Sequence, residues 1–149
     1  MPKIGYSARV EEPCSRAMGR EMRISPKDAV EVCRAIRGMR LKDAKSYLEE
    51  VMKKQRPVPF RRHRKKLAHT RGAGGAGAYP VKAARAVLKV LENAEANASY
   101  KGLEVDRLRI VHASAKRGFT IPGFLPRAFG RATPYNRPLT NVEIILKEA

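Results

Sequence analysis

Apolar side chains alternate with polar ones in three stretches of this chain and recur at helical spacing in three others. In "KIGYSARVEE", Ile4, Tyr6, Ala8 and Val10 alternate with Gly5, Ser7, Arg9 and Glu11, which predicts a half-buried strand. "SPKDAVEVCRAIRG" predicts a helix with Ser25 as N-cap, Pro26 at its first position and Asp28 three residues after the cap. It closes on Gly38 and puts Ala29, Val32, Cys33 and Ile36 on one face. "LKDAKSYLEEVMKK" predicts a second helix that buries Ala44, Tyr47 or Leu48, Val51 and Met52, its acids preceding its last lysines. After Pro80 the longest helix runs roughly to Tyr100, with Val81, Ala84, Leu88, Leu91, Glu95 and Ala98 along one stripe. "RLRIVHASA" and "TNVEIILKE" read as strands, the second alternating Val142, Ile144 and Leu146 with Glu143, Ile145 and Lys147.

Two stretches break this pattern. "QRPVPFRRHRKKLAHTRGAGGAGAYP" has neither period and reads as an irregular basic insert over about 55–79. "SAKRGFTIPGFLPRAFGRATPYNRP" separates two strands that ordinary connections would join in two to five residues. Folded as two arms of about ten residues, it projects ~35 Å at ~3.3 Å per residue. A compact domain of about a hundred residues has a radius of gyration near ~13 Å. The stretch must therefore leave the body. The pattern gives an α+β fold: a small three-stranded antiparallel sheet with three helices packed on it, a long protruding β-hairpin and the insert. At 149 residues the chain is one domain, 1–149, with its hairpin over about 108–146 and the protruding part over about 115–137.

Charge changes the picture more than composition does. The formal net charge is +18. From Val51 to Leu91 there is no acid among twelve Lys or Arg, and from Arg107 to Val142 none among seven. Those nineteen leave thirteen bases against all fourteen acids, so the remainder is close to neutral. A solvated face would carry interspersed acids; two long acid-free windows point to a polyanion. No apolar run reaches the roughly eighteen residues of a membrane span, and "MPKIGYSARVEEP" has no secretory h-region, so a cytoplasmic location is expected.

Candidate chemistry narrows the partner. "GAGGAG", Gly72–Gly77, fits G-x-G-x-x-G, but no buried strand precedes it and Glu92 and Glu95 fall inside the following helix, so it is not a dinucleotide fingerprint. Its glycines, Gly74 among them, offer backbone that can lie against phosphates, or a plain flexible loop. His63, His69 and His112 have no catalytic or zinc-binding spacing, and Cys14 and Cys33 lack a CxxC partner. No metal, cofactor or catalytic residue is expected. For phosphate contact the candidates are Arg64, Lys65, Lys66 and Arg71 in the insert and Arg117, Arg127, Arg131 and Arg137 in the hairpin. Phe129 and Tyr135 are candidates for base stacking. Pro122 and Pro126 break the ladder, which puts an uncharged tip at Phe119, Ile121, Pro122, Phe124 and Leu125.

At "VPFRR", "LENAEANASYKGL" and "PRAFGRATPYN" the chain resembles the large-subunit ribosomal protein family numbered twenty-two in bacteria and seventeen in the eukaryotic cytosol, in its archaeal-type branch. The resemblance covers nearly the whole chain. It implies a structural component of the large subunit, with no enzymatic activity, that binds large-subunit rRNA across several RNA domains. Its hairpin would line the nascent-polypeptide exit tunnel, so the implied partners are rRNA, neighbouring ribosomal proteins and the nascent chain, not DNA or membrane. Carried over by position, it implies RNA contacts at Phe60, Arg61 and Arg62 and, on the hairpin arms, at Lys116, Arg117, Arg127, Arg131 and Tyr135. The chain departs from relatives at Ala78, where they often carry a base, and in "GFTIPGFLP", which is less basic than many of their tips. Two other functions stay open at this level: a free-standing RNA-binding architectural protein or RNA chaperone, and an RNA-modifying enzyme.

Overall fold

The computed structural model describes residues 5–148. Its elements are β1 (Cys14–Met22), α1 (Pro26–Ile36), α2 (Leu41–Met52), β2 (Val58–Pro59), β3 (His69–Thr70), β4 (Gly75–Ala78), α3 (Val81–Tyr100), β5 (Leu108–Ile121), β6 (Phe124–Pro126), β7 (Ala132–Pro134) and β8 (Arg137–Glu148). The main sheet has the order β1-β8-β5 and is antiparallel throughout. The fold is α+β, as the pattern predicts.

Helix starts follow their sequence signals. The Ser25 side chain accepts a hydrogen bond from the Asp28 N–H, and Pro26 opens α1 without losing an intrahelical bond. Ala29, Val32, Cys33 and Ile36 are buried, as are Ala44, Tyr47, Leu48 and Val51 of α2. In α3 the buried stripe is Ala83, Ala84, Val87, Val90, Leu91, Ala94 and Ala98, rotated from the predicted one. Glu95 stays at the rim and pairs with Lys45, tying α3 to α2. These helices cover the face of the sheet that carries Ala17, Ile110, Ala113, Val142, Ile144 and Leu146. Cys14 and Cys33 are buried free thiols, and burial pushes that of Cys33 up to about 12.

Three expectations are corrected. The first strand is Cys14–Met22, not the alternating run before it: Gly5, Tyr6, Ser7 and Arg9 are exposed there, and Ile4 lies outside the described residues. That run lies against the far face of the sheet, where the Ser7 N–H donates to Glu143 Oε2 at 3.0 Å. The insert, expected to lack order, carries a second small sheet, β2-β4-β3, and sends Val58 and Phe60 into the main core.

The third correction concerns the hairpin. Ile121 faces Arg137, Phe124 faces Pro134, Leu125 faces Thr133 and Pro126 faces Ala132. This register continues to a turn in which Phe129 and Gly130 have φ of 58° and 67°. Arg127 N–H donates to the Arg131 carbonyl at 2.8 Å to close it. The apex is therefore Arg127–Arg131, and Phe119 to Leu125 lie along the arm that leads to it. Two positive φ values in succession give the primed turn that suits a right-twisted ribbon. Pro126 does not end the ladder, because each strand of a two-stranded ribbon has an open edge where no N–H is needed. At Gly123 the arms approach closely: a Cβ there would stand 2.7 Å from the Tyr135 carbonyl oxygen.

Candidate nucleic-acid interface

The two acid-free windows keep their charge unneutralised in the fold. Of their nineteen cations only Arg56, Arg107 and Lys116 lie within 4 Å of a carboxylate among the described residues. Acids elsewhere serve the body, as in the Lys45–Glu95, Lys42–Asp106 and Arg16–Glu12 pairs.

In the insert, Arg61, Arg62, Arg64, Lys65, Lys66 and Arg71 are all exposed. What shapes this loop is a residue that the sequence did not single out. Glu31, on α1, is completely buried and its carboxylate accepts the backbone N–H groups of Arg61, Arg62 and His63 at 3.3, 2.8 and 3.0 Å. Burial pushes the Glu31 carboxyl up, but those three N–H groups and the Arg34 charge outweigh it and hold it below its ordinary 4.5. With the backbone turned inward onto this anion, the adjoining arginine side chains stand in solvent. Phe60 is corrected: it is 5% exposed and packs in the core, so its ring anchors the insert and is closed to a base. Gly74 sits at φ 67° in the turn between β3 and β4, where a residue with a side chain would be strained; turn geometry accounts for it. Ala78 lies at the end of β4, paired with Val58.

In the hairpin, Arg127 and Arg131 flank the apex and Phe129 is 92% exposed between them, with the Arg131 guanidinium 6.0 Å from its ring centroid. Phe119, Ile121, Pro122, Phe124 and Leu125 are exposed along one arm, Tyr135 and Arg137 along the other. Arg137 stands over the Tyr135 ring at 5.6 Å. Lys116 and Arg117, neighbours in sequence, separate onto opposite faces of β5. Lys116 reaches Glu143 at 3.6 Å on the far face, while Arg117 faces the side that the helices cover. Glu143 is almost fully buried; burial raises its carboxyl, but hydrogen bonds from Ser7 and His112 and the Lys116 charge bring it below its usual range.

Sequence reasoning missed Glu31, since a single acid beside an apolar helical face carries no signal of a loop bound to it. It also missed Arg23 and Lys27, which the fold sets beside the hairpin root although they lie outside both windows. Among the described residues no three His, Cys, Asp or Glu are grouped to hold a metal ion, and no helix is long and apolar enough to cross a membrane.

The arrangement is a cationic, aromatic-bearing surface spread over an insert and a ribbon, suited to phosphates and unpaired bases. Curated relatives agree in length and kind. The chain is 55% identical to the large ribosomal subunit protein uL22 of Methanopyrus kandleri, covering 93% of this chain and 89% of that one. It is 52% identical to the proteins of the same name from Methanosphaera stadtmanae, over 97% and 95%, and Archaeoglobus fulgidus, over 97% and 96%. The family model described as ribosomal protein L22p/L17e matches residues 17–147, and the chain belongs to that family.

Proposed function

We propose that this chain is a structural constituent of the large ribosomal subunit that binds 23S-type rRNA, holds rRNA domains together during assembly, and borders the nascent-polypeptide exit tunnel with its hairpin. The hairpin carries this reading. A two-stranded ribbon is marginal alone, and one that exposes Phe119, Phe124 and Phe129 is an aggregation hazard in water. Surrounded by RNA, the same ribbon has phosphates for Arg127, Arg131 and Arg137 and bases for its rings. The names of the relatives and the cations without carboxylate partners support the same conclusion, with Lys116, Arg117 and the insert bases as further contacts. In this reading the apex, with Phe129 at its centre, would meet the tunnel lumen and a passing chain.

Gradient sedimentation after a high-salt wash tests the assignment. Tagged protein is expected to remain with the large subunit; protein at the top of the gradient would instead favour a free-standing RNA binder. A photo-crosslinker at Phe129 should label rRNA or nascent chain, and one at the buried Val32 should label neither. For isolated binding to rRNA with ~10 phosphate contacts, log K against log salt should have a slope of roughly −7 to −9. A slope near about −2 would refute polyanion binding as the role of this charge.

A further inference from the structure

A groove of about 1150 Å³ runs between the N-terminal end of α1 and the root of the hairpin. Arg23 and Lys27 line it beside α1, Lys82 at the start of α3, and Arg117, Arg137 and Tyr135 on the hairpin. His63 brings the insert to the same groove, so both acid-free windows meet there although His63 and Arg117 lie about fifty residues apart in sequence. No Asp or Glu lines it, and none of its five Lys or Arg is within 4 Å of a carboxylate among the described residues. Five like charges around one concavity repel each other, whereas cations of the body such as Arg16, Lys42 and Lys45 are paired with acids. Val30, Ala115 and Leu139 add apolar lining, which a lone hydrated anion would not use. The volume exceeds the roughly 300–1,000 Å³ of small-molecule pockets, which suits a run of polymer. The Tyr135 ring is 55% exposed and held by Arg137, so it is a ready platform for a base.

We propose that this groove holds an unpaired run of RNA, its phosphates on Arg23, Lys27 and Lys82 at one side and Arg117 and Arg137 at the other, with a base stacked on Tyr135. A duplex keeps its bases stacked inside, out of reach of an aromatic ring; splayed single strands present theirs. The inference deepens the rRNA reading and rests on it. It makes the α1 terminus part of the interface and has one RNA segment bridge the body and the ribbon.

The test uses the full chain and large-subunit rRNA transcripts over a salt series. The triple variant Arg23→Gln, Lys27→Gln, Lys82→Gln should flatten the log–log slope by about 2 to 3, since each lost phosphate contact removes about 0.7–0.9. A control with Arg9, Lys42 and Lys101 changed to Gln, all exposed and outside both the groove and the two acid-free windows, should leave it nearly unchanged. Tyr135→Ala should weaken binding by about fivefold to over a hundredfold, and Tyr135→Phe should restore it. A crosslinker at Tyr135 should map to nucleotides that chemical probing shows to be unpaired. Equal slope changes in the groove and control variants, or crosslinks to paired nucleotides only, would overturn the groove. If wild-type protein bound no rRNA, the broader reading would fall first.

Discussion

Substituting Glu31 tests whether a buried anion organises the basic insert. In Glu31→Gln the remaining carbonyl oxygen can still accept from two of the three N–H groups, but the amide NH₂ turns a donor towards the third. Hydrogen bonds to a charged group contribute about 1.5–3 kcal/mol each, and a buried donor left without acceptor costs about 1–3 kcal/mol. The insert can relax into water, so one such loss bounds the effect, about 1–2 kcal/mol. Glu31→Ala removes every acceptor and should cost about 2–4 kcal/mol, limited by detachment of the loop around Phe60. At ~2–4 °C per kcal/mol for a chain of this size, Gln should lower Tm by about 2–8 °C. Urea unfolding would give the free energy, and amide exchange the location, at Arg61, Arg62 and His63. The pH dependence has a defined sign. A carboxyl held below its ordinary 4.5 in the folded state contributes stability that is full above the unfolded value and lost as pH falls through the folded one. Wild type should therefore show a loss as pH falls below the ordinary 4.5 that Glu31→Gln lacks, with parallel curves at neutral pH. If exchange at the three amides were unchanged in Glu31→Ala, and stability moved by less than about 0.5 kcal/mol, the clamp would be refuted.

Other outcomes follow from geometry. Gly123→Ala forces a Cβ towards the Tyr135 carbonyl oxygen; limited proteolysis should show faster cleavage between Phe124 and Pro134 while the Tm of the body stays nearly constant. Arg127→Glu with Arg131→Glu should impair incorporation into the large subunit by repelling phosphate, measured as the gradient fraction carrying the variant. Protonation of Glu143, whose carboxyl is held low in the fold, weakens the charge-assisted hydrogen bonds that it accepts from Ser7; a spin label at the exposed neighbour Arg9 should thus gain mobility as pH falls below the ordinary 4.5 but not between about pH 5 and 7. Unchanged label mobility in acid would disprove that attachment.

Three elements show what the sequence made legible. α1 carried a cap, a proline and an apolar face that all named the same helix, and β8 carried an alternation broken at Ile145, which is itself buried; local chemistry and tertiary burial agreed. β1 did not. Its inward positions are Ser15, Ala17 and Gly19, small because α3 lies on them: a Cβ at Gly19 would stand 2.7 Å from Val90. Bulky alternation is absent from such a strand and present in the run up to Val10, whose described residues, Gly5 to Val10, lie outside the sheet. The same bias moved the hairpin tip, where prolines outweighed the Phe129–Gly130 turn. For the interface, runs of like charge were readable in one dimension. Arg23, Lys27 and Lys82 occur singly, and only folding makes them neighbours of Arg117 and Arg137.

The order β1-β8-β5 has a consequence in time. β8 is the middle strand, yet it follows both neighbours along the chain, so neither pairing of the main sheet exists until residues 137–148 have been synthesised. Until then the apolar faces of α1 and α3 have no sheet to cover, and the hairpin has only one arm attached. Folding is thereby delayed until β8 has been synthesised, since long-range strand pairing cannot begin before its last partner emerges. A chain truncated before Arg137 should bind a holdase and be cleared by proteolysis, whatever the quality of its helices. The cell thus has a simple criterion for quality: only a chain that carries β8 can hide its core.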